Sequence, residues 1–190
     1  ATQNVRVTNR TARFLRPADG MERVFRDAAI GLAREHLFAR QFVNTGRMAI
    51  ANPYTQSSAC EATGGLPVQN VAFQWADGSA GTVNDLLRWA DGHLLVLAFG
   101  GLGREAQRRL AALGASAPVR CVQVLDAHAP PQATEHVRDP QGHLQGACHV
   151  FGHAWALVRP DAYVAATGEN IDAALVQAVA RALGALEAHA

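Results

Sequence analysis

The chain has 190 residues, 49% of them hydrophobic and 17% charged, a composition that excludes a disordered tail. At this length one domain with an appendage buries roughly 70% of its unfolded surface. No apolar run is free of charge or glycine for the length a membrane span needs, and a net charge of +1 gives no whole-chain field for nucleic acid. All 17 basic residues are arginine and they are unevenly placed: residues 1–48 carry nine against four acids, the remainder eight against twelve. Arginine side chains on solvated helix faces account for this most simply; otherwise the two parts attract each other, or each faces a missing partner. Three widely spaced cysteines, Cys60, Cys121 and Cys148, argue against a disulfide scaffold and fit a reducing cytosol. The chain opens on Ala1 without the features of a signal peptide, and reads as a piece of a longer protein.

Taken in chain order, Asp19-Gly-Met-Glu22 resembles a capping box, so a helix is expected from there. Met21, Val24, Phe25, Ala28, Ala29 and Leu32 recur at helical spacing as one apolar stripe, with Arg23, Arg26, Asp27 and Arg34 outside it. That stripe has to be covered by something. Gly, Asn, Pro, Ser and Thr from Gly46 to Pro67 have connector composition, which divides the chain into a helical segment 1–48, a linker 49–67 and a compact domain 68–190.

The compact domain opens with Val71, Phe73 and Trp75 in alternation, a turn at Asp77-Gly78, and a short helix capped by Thr82 with Asp85 and ending near Trp89. His93–Phe99 reads as a buried strand, Arg104–Leu113 as a helix with Gly114 as its C-cap, and Val119–Leu125 as a second buried strand. Residues 126–153 are irregular, with short helices at most. Trp155–Arg159 and Tyr163–Thr167 form a hairpin turning at Pro160-Asp161-Ala162, and a last helix follows, with Asn170 as N-cap and Gly184 as its stop. Strand, helix, strand, irregular crossover, hairpin, helix is the thioredoxin arrangement, an α/β fold with a mixed sheet between helices. Its first crossover is right-handed because strands twist that way.

An active thioredoxin places Cys-x-x-Cys between the first core strand and its helix, whose N-terminus lowers the attacking thiol's pKa. Here that place reads Phe99-Gly-Gly-Leu102, which has no thiol for disulfide exchange. Gly100-Gly101-Leu102-Gly103 does follow a strand and open a helix, but Ala106 stands where a Gly-x-Gly-x-x-Gly dinucleotide loop would end on glycine. Cys148, beside His149, is a candidate lone peroxidatic nucleophile, although chain neighbours seldom point together. Cys121 reads as a small core residue and Cys60 as an exposed linker thiol. His143, His149 and His153, with Cys148 and Asp139 near, are the densest set of potential metal ligands, and zinc would need three or four to converge. Asp126 and His128 follow the second strand at its carboxyl end, where α/β folds place ligands, but no nucleophile joins them. Trp75, Trp89 and Trp155 read as core or interface anchors.

Arg13-Phe-Leu-Arg-Pro17, Phe25-Arg-Asp-Ala28, Phe42-Val-Asn-Thr-Gly-Arg47 and Pro53-Tyr54 resemble the far end of class A flavoprotein aromatic hydroxylases, of the phenol and 3-(3-hydroxyphenyl)propionate hydroxylase kind. Gly65-Leu-Pro67, Asp77-Gly78, Leu157-Val-Arg-Pro-Asp161 and Tyr163-Val-Ala165 resemble the thioredoxin-like domain that ends such enzymes. The family commonly has Gly after that Asp, where this chain has Ala162. The resemblance implies a full-length monooxygenase that binds FAD, takes hydride from NADH or NADPH and inserts oxygen into a phenolic ring. Its flavin and nicotinamide motifs lie upstream of Ala1, so no catalytic, cofactor-binding or metal residue is assigned here.

The expected role is therefore a redox-inactive, cytoplasmic tail that packs on the rest of the hydroxylase chain or on a second copy, with no nucleic acid and no membrane. The alternatives are a free-standing thioredoxin-like binding module and a Cys148 thiol peroxidase.

Overall fold

A computed structural model of the chain describes residues 2–43, 53–131, 133 and 135–185, in two compact units, Ala1–Asn52 and Pro53–Ala190. In the first, helix α1 (Thr2–Leu15) is followed by α2 (Gly20–Glu35), a 3-10 turn (Leu37–Ala39) and α3 (Arg40–Val43). Asp19 caps α2 as its sequence suggests, Oδ1 accepting the Glu22 N–H at 2.8 Å. Glu22 reaches back one residue further than a capping box requires, to the Ala18 N–H, and its other oxygen accepts from Arg13 at 2.7 Å. One carboxylate thus ties the end of α1 to the start of α2. Within this unit the expected stripe buries Ala29 but leaves Met21 78% and Phe25 62% exposed.

The second unit holds a seven-stranded mixed sheet. Its strands are β1 (Ala72–Trp75), β2 (Ala80–Thr82), β3 (Leu94–Phe99), β4 (Val119–Leu125), β5 (His136–Arg138), β6 (Trp155–Val158) and β7 (Val164–Gly168), in the order β2-β1-β5-β4-β3-β6-β7. β3, β4 and β5 run parallel; the β6–β7 hairpin lies antiparallel on β3, and β1 antiparallel on β5. The β4-β3-β6-β7 core with its connecting helices is the thioredoxin-like arrangement, and β1, β2 and β5 extend it.

Alternation along β3 divides the core in two. Leu95, Leu97 and Phe99 join Val122 and Val124 under helices α4 (Val83–Ala90) and α6 (His143–Ala147). Leu94, Val96 and Ala98 face α5 (Arg104–Ser116) and α7 (Ala173–Ala182), together with Trp155 and Leu157. All six β3 residues are buried, which is why this strand reads as a continuous apolar run.

Several local expectations shift. β2 and β5 were not anticipated, because three-residue strands are too short to show a period. α5 runs through Gly114 and stops at Ala117, whose extended backbone is imposed by the following Pro118. The cap of α7 is Asp172, accepting the Ala174 N–H at 2.9 Å, and not Asn170, whose carbonyl accepts the Trp155 indole N–H at 2.7 Å. Gly184 does take the left-handed conformation of a helix stop, at φ 75°.

The connector-like segment from Pro53 to Val68 is bonded along the hairpin. Glu61 donates to the Ala165 carbonyl and Gly65 to that of Val164, while Val164 donates to Leu66 and Val68 to Ala162. The contact is so close that a Cβ on Gly64 would collide with the Ala165 carbonyl.

At the hairpin turn Ala162 sits at φ 63°, held by its N–H to the Arg159 carbonyl at 3.0 Å and by the Arg159–Asp161 ion pair at 2.9 Å. Left-handed backbone crowds Cβ against the carbonyl in every residue but glycine. Ala162→Gly is therefore expected to stabilise the chain by about 0.5–1 kcal/mol and Ala162→Val to destabilise it, read as opposite shifts of the urea midpoint.

Candidate functional site

The place where this fold carries redox chemistry is the turn from β3 into α5. Gly100 adopts φ 78°; its N–H donates to the Val124 carbonyl at 2.9 Å and its carbonyl accepts from the Gln123 side chain at 2.9 Å. Leu102 is buried against the α5/α7 core, and its carbonyl accepts from the Gln107 side chain at 2.9 Å. Phe99 donates to the Ala154 carbonyl at 2.7 Å, which sets His153 and Ala154 beside the turn, and the His153 Nδ1 is buried without a hydrogen-bond partner. A leucine thus fills the core where a thiol would stand. The Gly100 N–H is engaged within the sheet, and Glu105 places a negative charge in the first turn of α5.

Gln123 organises this turn, and sequence reasoning missed it. Fully buried in β4, it bridges the Gly100 carbonyl and, through Oε1, the Ala133 N–H at 3.0 Å. Its signal was an amide inside the apolar run Val119–Leu125, since a buried amide must find partners. Arg138 does similar work on the loop after β4, donating to the carbonyls of Asp126, Ala127 and Ala129.

The three cysteines are all free and lie apart. Burial, with the Asp139 carboxylate adding to it, pushes the Cys148 thiol up to about 12. His149 does not act on it: at φ 59° its Nε2 lies 3.2 Å from the Pro67 carbonyl. Burial raises Cys121 to about 11, its thiol lying 3.6 Å from the Leu110 carbonyl. Cys60 is buried beside Arg159.

The remaining candidates are engaged separately. Asp139 is buried and caps α6, accepting the N–H of His143 at 2.9 Å and of Leu144 at 2.7 Å. α6 ends before His149, so His149 and His153 share no helical face, and among the described residues no three His, Cys, Asp or Glu converge as metal ligands. Asp126 accepts the N–H groups of His128 and Ala129, which, with the nearby His128 and Arg138 side chains, hold its carboxyl below the usual range, and it shapes a loop. Trp155 is a core anchor. Trp75 stacks edge-on with Phe73 and lies 6.4 Å from Trp89, over which the Arg120 guanidinium sits at 5.6 Å. No helix among the described residues is long and apolar enough to cross a membrane.

Two outcomes follow. Because their pKa values are raised, Cys121 and Cys148 in the folded chain should resist iodoacetamide at pH 8, Cys121 reacting as pH nears about 11 and Cys148 only above it; in urea all three thiols should react at pH 8–9. Gln123→Leu leaves the Gly100 carbonyl and the Ala133 N–H without this partner and should destabilise the chain by about 1–3 kcal/mol, measured by urea unfolding.

None of the curated proteins matches the sequence. Among solved structures, the flavin-dependent monooxygenase PieE, in complex with FAD and substrate, shares the fold with a TM-score of 0.55 at 20% identity, over 88% of this chain and 31% of that one. Aklavinone-11 hydroxylase, in a ternary complex with FAD and aklavinone, gives 0.53 at 21%, over 73% and 27%. OxyS anhydrotetracycline hydroxylase from Streptomyces rimosus gives 0.50 at 22%, over 83% and 28%. The chain therefore spans about a quarter to a third of the length of these hydroxylases. Residues 80–184, from β2 to the end of α7, match the model of the HcaD C-terminal domain, and as this is more than half of its length the chain belongs to the HcaD C-terminal domain family.

Proposed function

We propose that this chain is the redox-inactive, structural tail of an FAD-dependent monooxygenase that hydroxylates a phenolic substrate with NAD(P)H and O2. The observation that supports the reading best is one of extent: the shared fold takes in 73–88% of this chain but only 27–31% of two enzymes whose structures hold FAD, aklavinone-11 hydroxylase and PieE. In this reading FAD, nicotinamide and substrate are held by the rest of the polypeptide. Residues 1–48 belong to the preceding flavin and substrate domains, residues 49–67 connect, and residues 68–190 carry the thioredoxin-like domain. Leu102 in the core, in the place of a redox thiol, is consistent with a structural task. The exposed Met21, Val24, Phe25 and Leu32 supply a face for the remaining chain or for a homodimer. Three free thiols suit a cytoplasmic setting.

The reading frame before Ala1 should encode several hundred residues, including a flavin-binding strand, glycine turn and helix; an in-frame stop directly upstream would overturn the proposal. The full-length protein should purify yellow with flavin and consume NADH or NADPH when given a phenol. The 190-residue chain should do neither.

The exposed stripe makes a separate forecast. In the 190-residue chain, Val24→Glu with Phe25→Glu should weaken self-association at least tenfold in sedimentation equilibrium, with helix content unchanged.

A further inference from the structure

The β4 strand has an edge that β5 leaves open, and the ladder shows which groups point there. Leu94 N–H donates to the Pro118 carbonyl and Gly100 N–H to that of Val124, so even-numbered positions turn their backbone groups to β3. On the other side Gln123 N–H donates to the Glu135 carbonyl and the Leu125 carbonyl accepts from Asp139, so odd-numbered positions face outward to β5. Pairing with β5 begins only at Gln123, opposite His136. Upstream of that point the Gln123 side chain, not the strand, takes the Ala133 N–H. Val119 uses its own N–H on Ala117, which leaves the Val119 carbonyl and both backbone groups of Cys121 without partners among the described residues.

A cleft of about 380 Å³ runs along this edge. Gln107 and Leu110 of α5 wall it on one face of the sheet, Trp89 and Arg120 on the other, and Glu135 borders it where β5 begins. Arg120 is exposed and rests on the Trp89 ring with no carboxylate partner among the described residues.

We propose that this cleft receives a short extended segment of another polypeptide as an added strand on β4, paired through Cys121 and carrying an Asp or Glu for Arg120. Adding a strand to an open edge gives affinity through backbone hydrogen bonds and specificity through alternate side chains. Charge selects the occupant, because Arg120 forms no ion pair among the described residues, Glu135 at the start of β5 included. The inference is independent of whether the chain belongs to a flavin hydroxylase.

The test uses the full 190-residue chain and capped pentapeptides of alternating Val and Thr, with one Asp walked through the five positions, beside matching Lys and Pro sets. At least one Asp peptide is expected to bind ten times more tightly than every Lys or Pro peptide and to slow hydrogen exchange of the Cys121 amide at least tenfold. Arg120→Glu should transfer that preference to a Lys peptide. Cys121→Pro, tolerable at an edge position whose N–H has no partner, should abolish binding; if that variant does not fold, the exchange and Arg120→Glu measurements decide. No binding at millimolar peptide, equal binding of Asp and Lys sets, binding without protection of Cys121, or protection of Cys121 by self-association without peptide would each overturn the proposal.

Discussion

β3 is buried on both faces, and most of the second unit follows from that. A strand whose six side chains all avoid water needs a helix layer above and another below it, and needs a strand on each side for its backbone groups. The hairpin β6–β7 satisfies one side and β4 the other; α4 and α6 cover one face, α5 and α7 the second. The short strands β1, β2 and β5 then extend the sheet beyond β4.

Burial of β3 also shapes the turn that follows it. A thiol at a helix N-terminus is reactive when it stays partly open to solvent in a positive field. Here Leu102 turns into the core, Gly100 is held by backbone and by Gln123, and Cys121 and Cys148 lie where burial keeps their thiols protonated. The position that a redox thiol would take in this fold is filled by the packing of Leu102.

The two surfaces left for contact differ in kind. The α2 stripe presents large apolar side chains on a helix, suited to broad packing against another folded face. The β4 edge presents a narrow cleft in which, among the described residues, the backbone groups of Cys121 are unpaired and Arg120 forms no ion pair.

The sequence by itself determined the long elements, because each carries its own period or buried run: α2 from Asp19, α4 from Thr82 and Asp85, β3, β4 and the β6–β7 hairpin. It also determined the loss of redox thiols, since Phe99-Gly-Gly-Leu102 shows it without coordinates. Tertiary structure alone decided the rest. β5 exists because β4 and β1 offer it ladders, not because His136–Arg138 prefers to be extended, and α5 passes Gly114 because its stop is the backbone imposed by Pro118. The pairing of Gln123 with Gly100 and Ala133, the separation of Cys148 from His149, and the open edge at Cys121 depend on residues far apart in sequence. Periodicity reports which face of an element is buried; it carries no record of what will stand against it.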